Sequence, residues 1–198
     1  MMKIFGTLFA VLTRVLGVCA VLFLGGCAAP TAGSAGKTQV VPPHTLPPLR
    51  TVSRVDLPRY MGDWYVIANI PYFAEAGCVA SVETYALRPD GRIDNWFTYR
   101  KGSFDAPVKQ MRALAWVHNP QTQAEWRVRF FGLIKASYLV LDLDPDYHWA
   151  VVGHPSRRYG WVLARSKTLP ERQYRQILRR LSDQGYDPAR FVKVPQQP

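Results

Sequence analysis

From Thr51 onward the chain alternates between short apolar-rich runs and clusters of turn-forming residues. The first run, Trp64 to Ile70, is closed by Pro71. Cys78 to Leu87 follows and ends at Arg88-Pro89-Asp90-Gly91-Arg92, whose glycine can supply the positive φ of a tight turn. Ile93 to Tyr99 is the third run, and Val108 to Val117 the fourth, stopped by His118-Asn119-Pro120. Glu125 to Phe131 has a period of two, with Trp126, Val128 and Phe130 on one side and Arg127 and Arg129 on the other. Ser137 to Leu143, Tyr147 to Val152 and Tyr159 to Arg165 complete eight. Connections of hairpin length predict an antiparallel meander rather than βαβ units. Eight such strands can close into an up-and-down barrel, which removes both exposed edges and can enclose one small ligand.

After the last strand the period changes. Tyr174, Ile177, Leu178 and Leu181 form a stripe at i, i+3, i+4 and i+7, the pattern of an amphipathic helix. Thr168 and Glu171 have the spacing of a capping box, Pro170 falls in the first turn, and Gly185 marks the end. Arg172, Arg175, Arg179 and Arg180 lie mostly off the stripe, as a solvated face or one that meets anionic headgroups. The expected class is all-β: an eight-stranded antiparallel up-and-down barrel with a C-terminal α-helix packed outside. Phe191 to Val194 can add a last short strand.

The N-terminus changes the picture from a soluble barrel to an exported one. Lys3 and Arg14 precede the apolar run Val15 to Leu24, which has the length of a signal-peptide core. A spanning helix needs about 20 unbroken apolar residues, and Arg14 interrupts the longer run from Ile4. Leu24-Gly25-Gly26-Cys27 resembles the lipobox of bacterial lipoproteins. That resemblance implies cleavage after residue 26 and acylation of Cys27, with Ala28 permitting passage to an outer membrane. The competing reading is an unprocessed N-terminal membrane helix. Residues 28–50 are rich in small residues and proline and suit a semi-extended spacer. The expected organisation is a signal peptide over 1–26, a lipidated cysteine and Pro-rich linker over 27–50, and one domain over 51–198.

Composition narrows the chemistry. The net charge is +11, which favours anionic surfaces, but the basic residues are spread without a nucleic-acid recognition motif. Nucleic acid is therefore not expected as a partner. The three cysteines, 19, 27 and 78, form no CxxC, and the four histidines lack metal-ligand spacing, so neither a metal nor a cofactor is expected.

Gly62-Asp63-Trp64-Tyr65 resembles the Gly-x-Trp signature that opens the first strand of lipocalins, and Leu163-Ala164-Arg165 the arginine that lies across that tryptophan. Asp144-Pro145-Asp146-Tyr147 stands for the third signature, differing from the commoner Thr-Asp-Tyr. Together with Phe130-Phe131-Gly132, Tyr138-Leu139-Val140-Leu141 and Gly185-Tyr186-Asp187, these motifs resemble bacterial outer-membrane lipocalins over about residues 53–195. The resemblance implies a carrier of fatty acids or lysophospholipids acting in lipid storage or transport in the cell envelope, membrane-anchored, and a homodimer. Gly62, Trp64, Asp144 and Arg165 are then structural.

Strand alternation names the expected cavity wall. With Trp64 inward, Val66, Ala68 and Ile70 follow. The tyrosine and tryptophan that match Tyr85 and Trp161 face the cavity in related lipocalins, which brings Ser81, Glu83 and Leu87 to the same face. Asn95, Phe97, Met111, Trp126, Val128, Phe130 and Tyr138 complete the expected ligand contacts, with Ile93 and Val140 also inside. Glu83 stands out, because a carboxylate in an apolar cup is costly unless paired or near the mouth. Either it orients a cationic or hydroxylated headgroup, or the register is displaced by one. The competing functional class is an enzyme using the Cys78 thiol on an apolar substrate, but alternation turns Cys78 outward unless a bulge intervenes, and no base stands beside it in the pattern.

Overall fold

A computed structural model describes residues 46–130 and 132–197. The proposed signal peptide, Cys27 and most of the linker lie outside the described residues, as do Phe131 and Pro198. Residues 41–198 form a compact unit of their own.

Eight antiparallel strands follow in order: β1 (Gly62–Ile70), β2 (Cys78–Leu87), β3 (Ile93–Lys101), β4 (Lys109–Val117), β5 (Glu125–Phe130), β6 (Ile134–Leu143), β7 (Trp149–Gly153) and β8 (Gly160–Ala164). Each pairs with its successor, and β8 returns to β1 to close the barrel. A short helix, α1 (Leu57–Tyr60), precedes β1, with Asp56 accepting from the Arg59 amide at 3.3 Å. A longer one, α2 (Glu171–Asp183), follows β8. A two-residue strand, β9 (Val192–Lys193), ends the fold.

One hydrophobic core fills the barrel and includes Trp64, Val66, Tyr85, Ile93, Phe97, Trp126, Val128 and Val140. The other lies between the barrel's outer wall and α2, where Tyr174, Ile177 and Leu181 meet Ile67, Leu139, Trp149 and Val162. The helix thus buries the stripe its periodicity specified. Its end is also as expected: Gly185 takes φ +82°, and the Gly185 and Tyr186 amides donate to the Ser182 and Leu181 carbonyls. Its start differs. Pro170 occupies the N-cap position without a side-chain cap, and Glu171 instead bonds Lys193 at 2.6 Å. A proline immediately before the helix sets the entry angle, so no capping box forms. Arg180 is not free on a solvated face either, for its Nε lies 2.5 Å from Asp142 Oδ2.

β1 is shared. Its first half pairs with β2 (Gly62↔Tyr85 to Tyr65↔Val82), while Ala68 and Asn69 pair with β9. Between them, β1 carries a bulge where the partners of Val66 and Ala68 are the adjacent Leu163 and Val162. The extra residue, Ile67, reverses the alternation. Ala68 and Ile70 consequently join the core under α2, against expectation, and Asn69 turns in instead. A second irregularity in β2 lies between Val79 and Val82, where Ala80 has φ 50°. It places Cys78 in the barrel core, correcting the outward orientation given by simple alternation.

The C-terminal segment fills the gap where β1 and β2 part. Val194 N donates to Ile67 O, Ala80 N to Pro195 O, and Gln196 Nε2 to both Val66 O and Ser81 O.

Candidate functional site

The closed end of the barrel is built around Trp64, which has no solvent exposure. Its Nε1 donates to Tyr60 O at 2.8 Å. The Arg165 guanidinium lies 3.8 Å from the indole centroid and donates to the carbonyls of Asp63, Arg59 and Met61 at 2.7–2.8 Å. One cation thereby pins α1 and the first turn of β1 to the end of β8, by cation–π attraction and by three charge-assisted hydrogen bonds. Gly62 has φ +89°, which explains a glycine two residues before the tryptophan. Asp144 Oδ2 accepts from the amides of Asp146 and His148 and closes the β6–β7 corner. Asp144, Asp146 and His148 carry donor atoms within 4.8 Å of one another, a proximity this turn accounts for.

Above this floor a cavity of about 270 Å³ opens toward the other end. Nine of the residues expected to contact ligand line it: Glu83, Tyr85, Asn95, Phe97, Met111, Val128, Phe130, Tyr138 and Trp161. Val66 and Trp126 face the same interior but are fully buried in the core rather than lining the cavity. Ala68 is on the other side of the wall. The floor is rigid and aromatic. Trp126 stacks on Tyr138 at 4.7 Å and 5°, and the hydroxyls of Tyr60, Tyr138 and Tyr85 form a chain at 2.9 and 3.0 Å.

Two carboxyl groups interrupt the apolar lining. Glu83 Oε2 accepts from Asn95 Nδ2 at 2.6 Å, across the β2–β3 pair. Glu75 reaches in from the segment between β1 and β2, accepting from Asn69 Nδ2 at 2.6 Å and from Trp161 Nε1 at 2.9 Å. Burial pushes both acids up from an ordinary value near 4.5, with the amide and indole donors pulling back. Glu75 reaches about 7, and Glu83, also raised by the charge of Glu75, about 8. Sequence reasoning missed Glu75 and Asn69. The signal available was a polar residue inside an otherwise apolar β1 run; no periodicity places a side chain from a loop.

These raised values carry a sign. The folded protein keeps protons that the unfolded chain releases above about pH 4.5, so their stabilisation is complete below that pH. It is lost as pH rises through about 7 and then about 8. Unfolding free energy is expected to fall by several kcal/mol, on the order of 5, between pH 5 and 9, measured by urea melts. The double variant Glu75→Gln, Glu83→Gln should flatten the profile, and a flat wild-type profile would sink this account.

Cys78 does not resemble a nucleophile. Its Sγ lies 3.4 Å from Ala74 O, where it donates, and burial raises the thiol's pKa.

The mouth is lined differently. Phe73 and Leu133 are 90% and 86% exposed, and Val108 and Ile134 are also exposed, all in or beside connections at the open end. Lys101, Lys109 and Lys135 stand on the same strand ends. The described chain begins at this end too: Arg157, in the β7–β8 connection, hydrogen-bonds Pro47 O.

Comparison with known proteins agrees with this geometry. Residues 55–196 match the sequence profile of the Lipocalin-like domain family. The chain is 33% identical over 150 residues to the outer membrane lipoprotein Blc of Escherichia coli K12, covering 74% of this chain and 82% of that protein. It is 32% identical over 161 residues to temperature-induced lipocalin-1 of Arabidopsis thaliana, covering 75% and 83%. Among solved structures, insecticyanin of the tobacco hornworm Manduca sexta superposes with a TM-score of 0.61 at 18% identity, covering 77% of this chain and 86% of that one.

Proposed function

Because this chain belongs to the lipocalin family, we propose that it is a binding protein that holds one single-chain lipid, a fatty acid or lysophospholipid, in its barrel at the outer membrane. The observation that carries this reading is the cavity itself: aromatic and apolar, closed below by Trp64 and Arg165, and open above. At about 270 Å³ it falls at the lower edge of the usual range of ligand pockets, about 300–1,000 Å³. That size suits one acyl chain better than two.

Acylation of Cys27 would provide the anchor, through a motif that lies before the described residues. The outer-membrane naming of the Escherichia coli relative supports that location. The position of Leu46 to Arg50 supports an orientation. Pro47 bonds the β7–β8 connection at the mouth, and the exposed Phe73 and Leu133 there, together with the lysines, would suit contact with a bilayer. Storage or transfer of membrane lipid follows from a cup held with its opening against its ligand source.

Titration of residues 41–198 with a long-chain fatty acid or a lysophospholipid should quench tryptophan fluorescence saturably, at one ligand per chain, because Trp161 lines the cavity. Absence of quenching together with absence of lipid retained in native mass spectrometry would overturn the reading. Full-length Cys27→Ala should leave the acylated membrane fraction that the unaltered chain occupies; unchanged lipid labelling would defeat the anchor.

A further inference from the structure

The lipid reading leaves the cavity's acids unexplained. Glu83 is deep in the barrel, opposite Trp64 on one side and Phe97 on the other. Asn95 satisfies one of its oxygens, and among the described residues no hydrogen bond or ion pair reaches the other. Glu75, in contrast, has both oxygens engaged by Asn69 and Trp161, so it is held as part of the wall. Among the described residues no ion pair joins a basic side chain to either acid. Lys101 bonds the backbone of Ala74 and Ala76, and the exposed Arg112 bonds Gln110, although its residue borders the cavity. His154 is at the mouth and bonds Ser156.

A carboxylate without a cation in a low-dielectric cup has two routes to compensation: a proton, or a cation that the ligand brings. The hydroxyls nearby permit the second. Tyr72, Tyr85 and Tyr138 line the same space and can accept from a donor-rich head, while the aromatic floor offers ring faces to a positive charge.

We propose that the inner cavity is an ammonium site: a ligand with an apolar body and a primary-amine head binds head first, with its nitrogen on the free oxygen of Glu83. This deepens the reading of the cup as a lipid site and depends on it. It divides the cavity by chemistry. An anionic fatty acid enters tail first and leaves its carboxylate by the lysines of the mouth, whereas an alkylamine reverses its direction.

The pH response is set by the groups that face Glu83. These are Glu75 and Tyr72 from the segment before β2, Tyr85 on its own strand, Tyr60 beneath it and Tyr138 from β6. All four tyrosines are pushed well above their ordinary range by burial and stay neutral at pH 9. An alkylamine, like a lysine with pKa about 10.4, remains charged there. Between pH 6 and 9 the acids alone change charge among these groups, and amine affinity must rise with pH.

The test uses residues 41–198 and three ligands that share one chain, dodecylamine, 1-dodecanol and dodecanoate, followed by calorimetry below their micelle concentrations. At pH 9 the amine should bind at least about tenfold tighter than the alcohol, with the carboxylate weakest. At pH 6 the advantage of the amine should shrink. Glu83→Gln should bring the amine down to the affinity that the alcohol has for the same variant, with an unchanged near-ultraviolet spectrum showing that the variant cup is intact. Equal binding of amine and alcohol at pH 9, or a preference that survives Glu83→Gln, overturns the ammonium site alone. Failure of all three to bind overturns the lipid cup along with it.

Discussion

Replacing Arg165 with alanine is expected to destabilise the protein by about 3 kcal/mol and lower its Tm by roughly 6–12 °C. The loss has three parts. The carbonyls of Asp63, Arg59 and Met61, which join α1 to the start of β1, lose a charged donor. The Trp64 face loses a cation at 3.8 Å. The bottom of the barrel also loses the cover that keeps Trp64 wholly from water. Arg165→Lys should recover part of this and no more, because one ammonium cannot serve three divergent carbonyls across an indole face. Thermal melts followed in the near ultraviolet would report it through Trp64 directly. A loss under about 1 kcal/mol for the alanine variant would show that the strand network closes this end unaided.

The second large effect concerns binding and should spare the fold. Ala113 lines the cavity from β4, between Asn95 and Phe130 in the register. An indole at that position occupies much of a space of about 270 Å³. Ala113→Trp is expected to weaken fatty-acid or lysophospholipid binding more than about 100-fold, the loss of about 3 kcal/mol or more of chain burial. Its melting temperature should change little, since the new side chain enters a cavity and displaces no packed core. Calorimetric titration beside a thermal melt separates the two. Retention of affinity within about threefold would mean the ligand sits elsewhere.

The architecture was readable because β strands and one amphipathic helix write strong periods. Trp126, Val128 and Phe130 against Arg127 and Arg129 leave one choice of inner face, and β5 has it. Trp64 and Arg165, far apart in sequence, were legible only as a matched pair of motifs. What failed did so where local geometry overrides period. The run Ile67-Ala68-Asn69-Ile70 is nearly apolar on both faces, so alternation could not reveal the extra residue that sends Ala68 outward and Asn69 inward. The irregularity beside Ala80 misled the placement of Cys78 in the same way. Glu75 was invisible for a different reason: its contacts with Asn69 and Trp161 are tertiary, and the second is 86 positions away. Thr168 had the spacing of a cap, but Pro170 set the helix start.

The wall between the diverging halves of β1 and β2 is completed by Val194, Pro195 and Gln196. These residues follow their partners at Val66 and Ile67 by more than a hundred positions. Without that segment in place, the second half of β1 has an unsatisfied backbone edge, the kind of surface on which strands of separate molecules associate. Barrel closure therefore cannot be completed from the strands of the first half alone. It waits for residues 194–196, and pairings of such long sequence separation make it slow, on the millisecond-to-second scale.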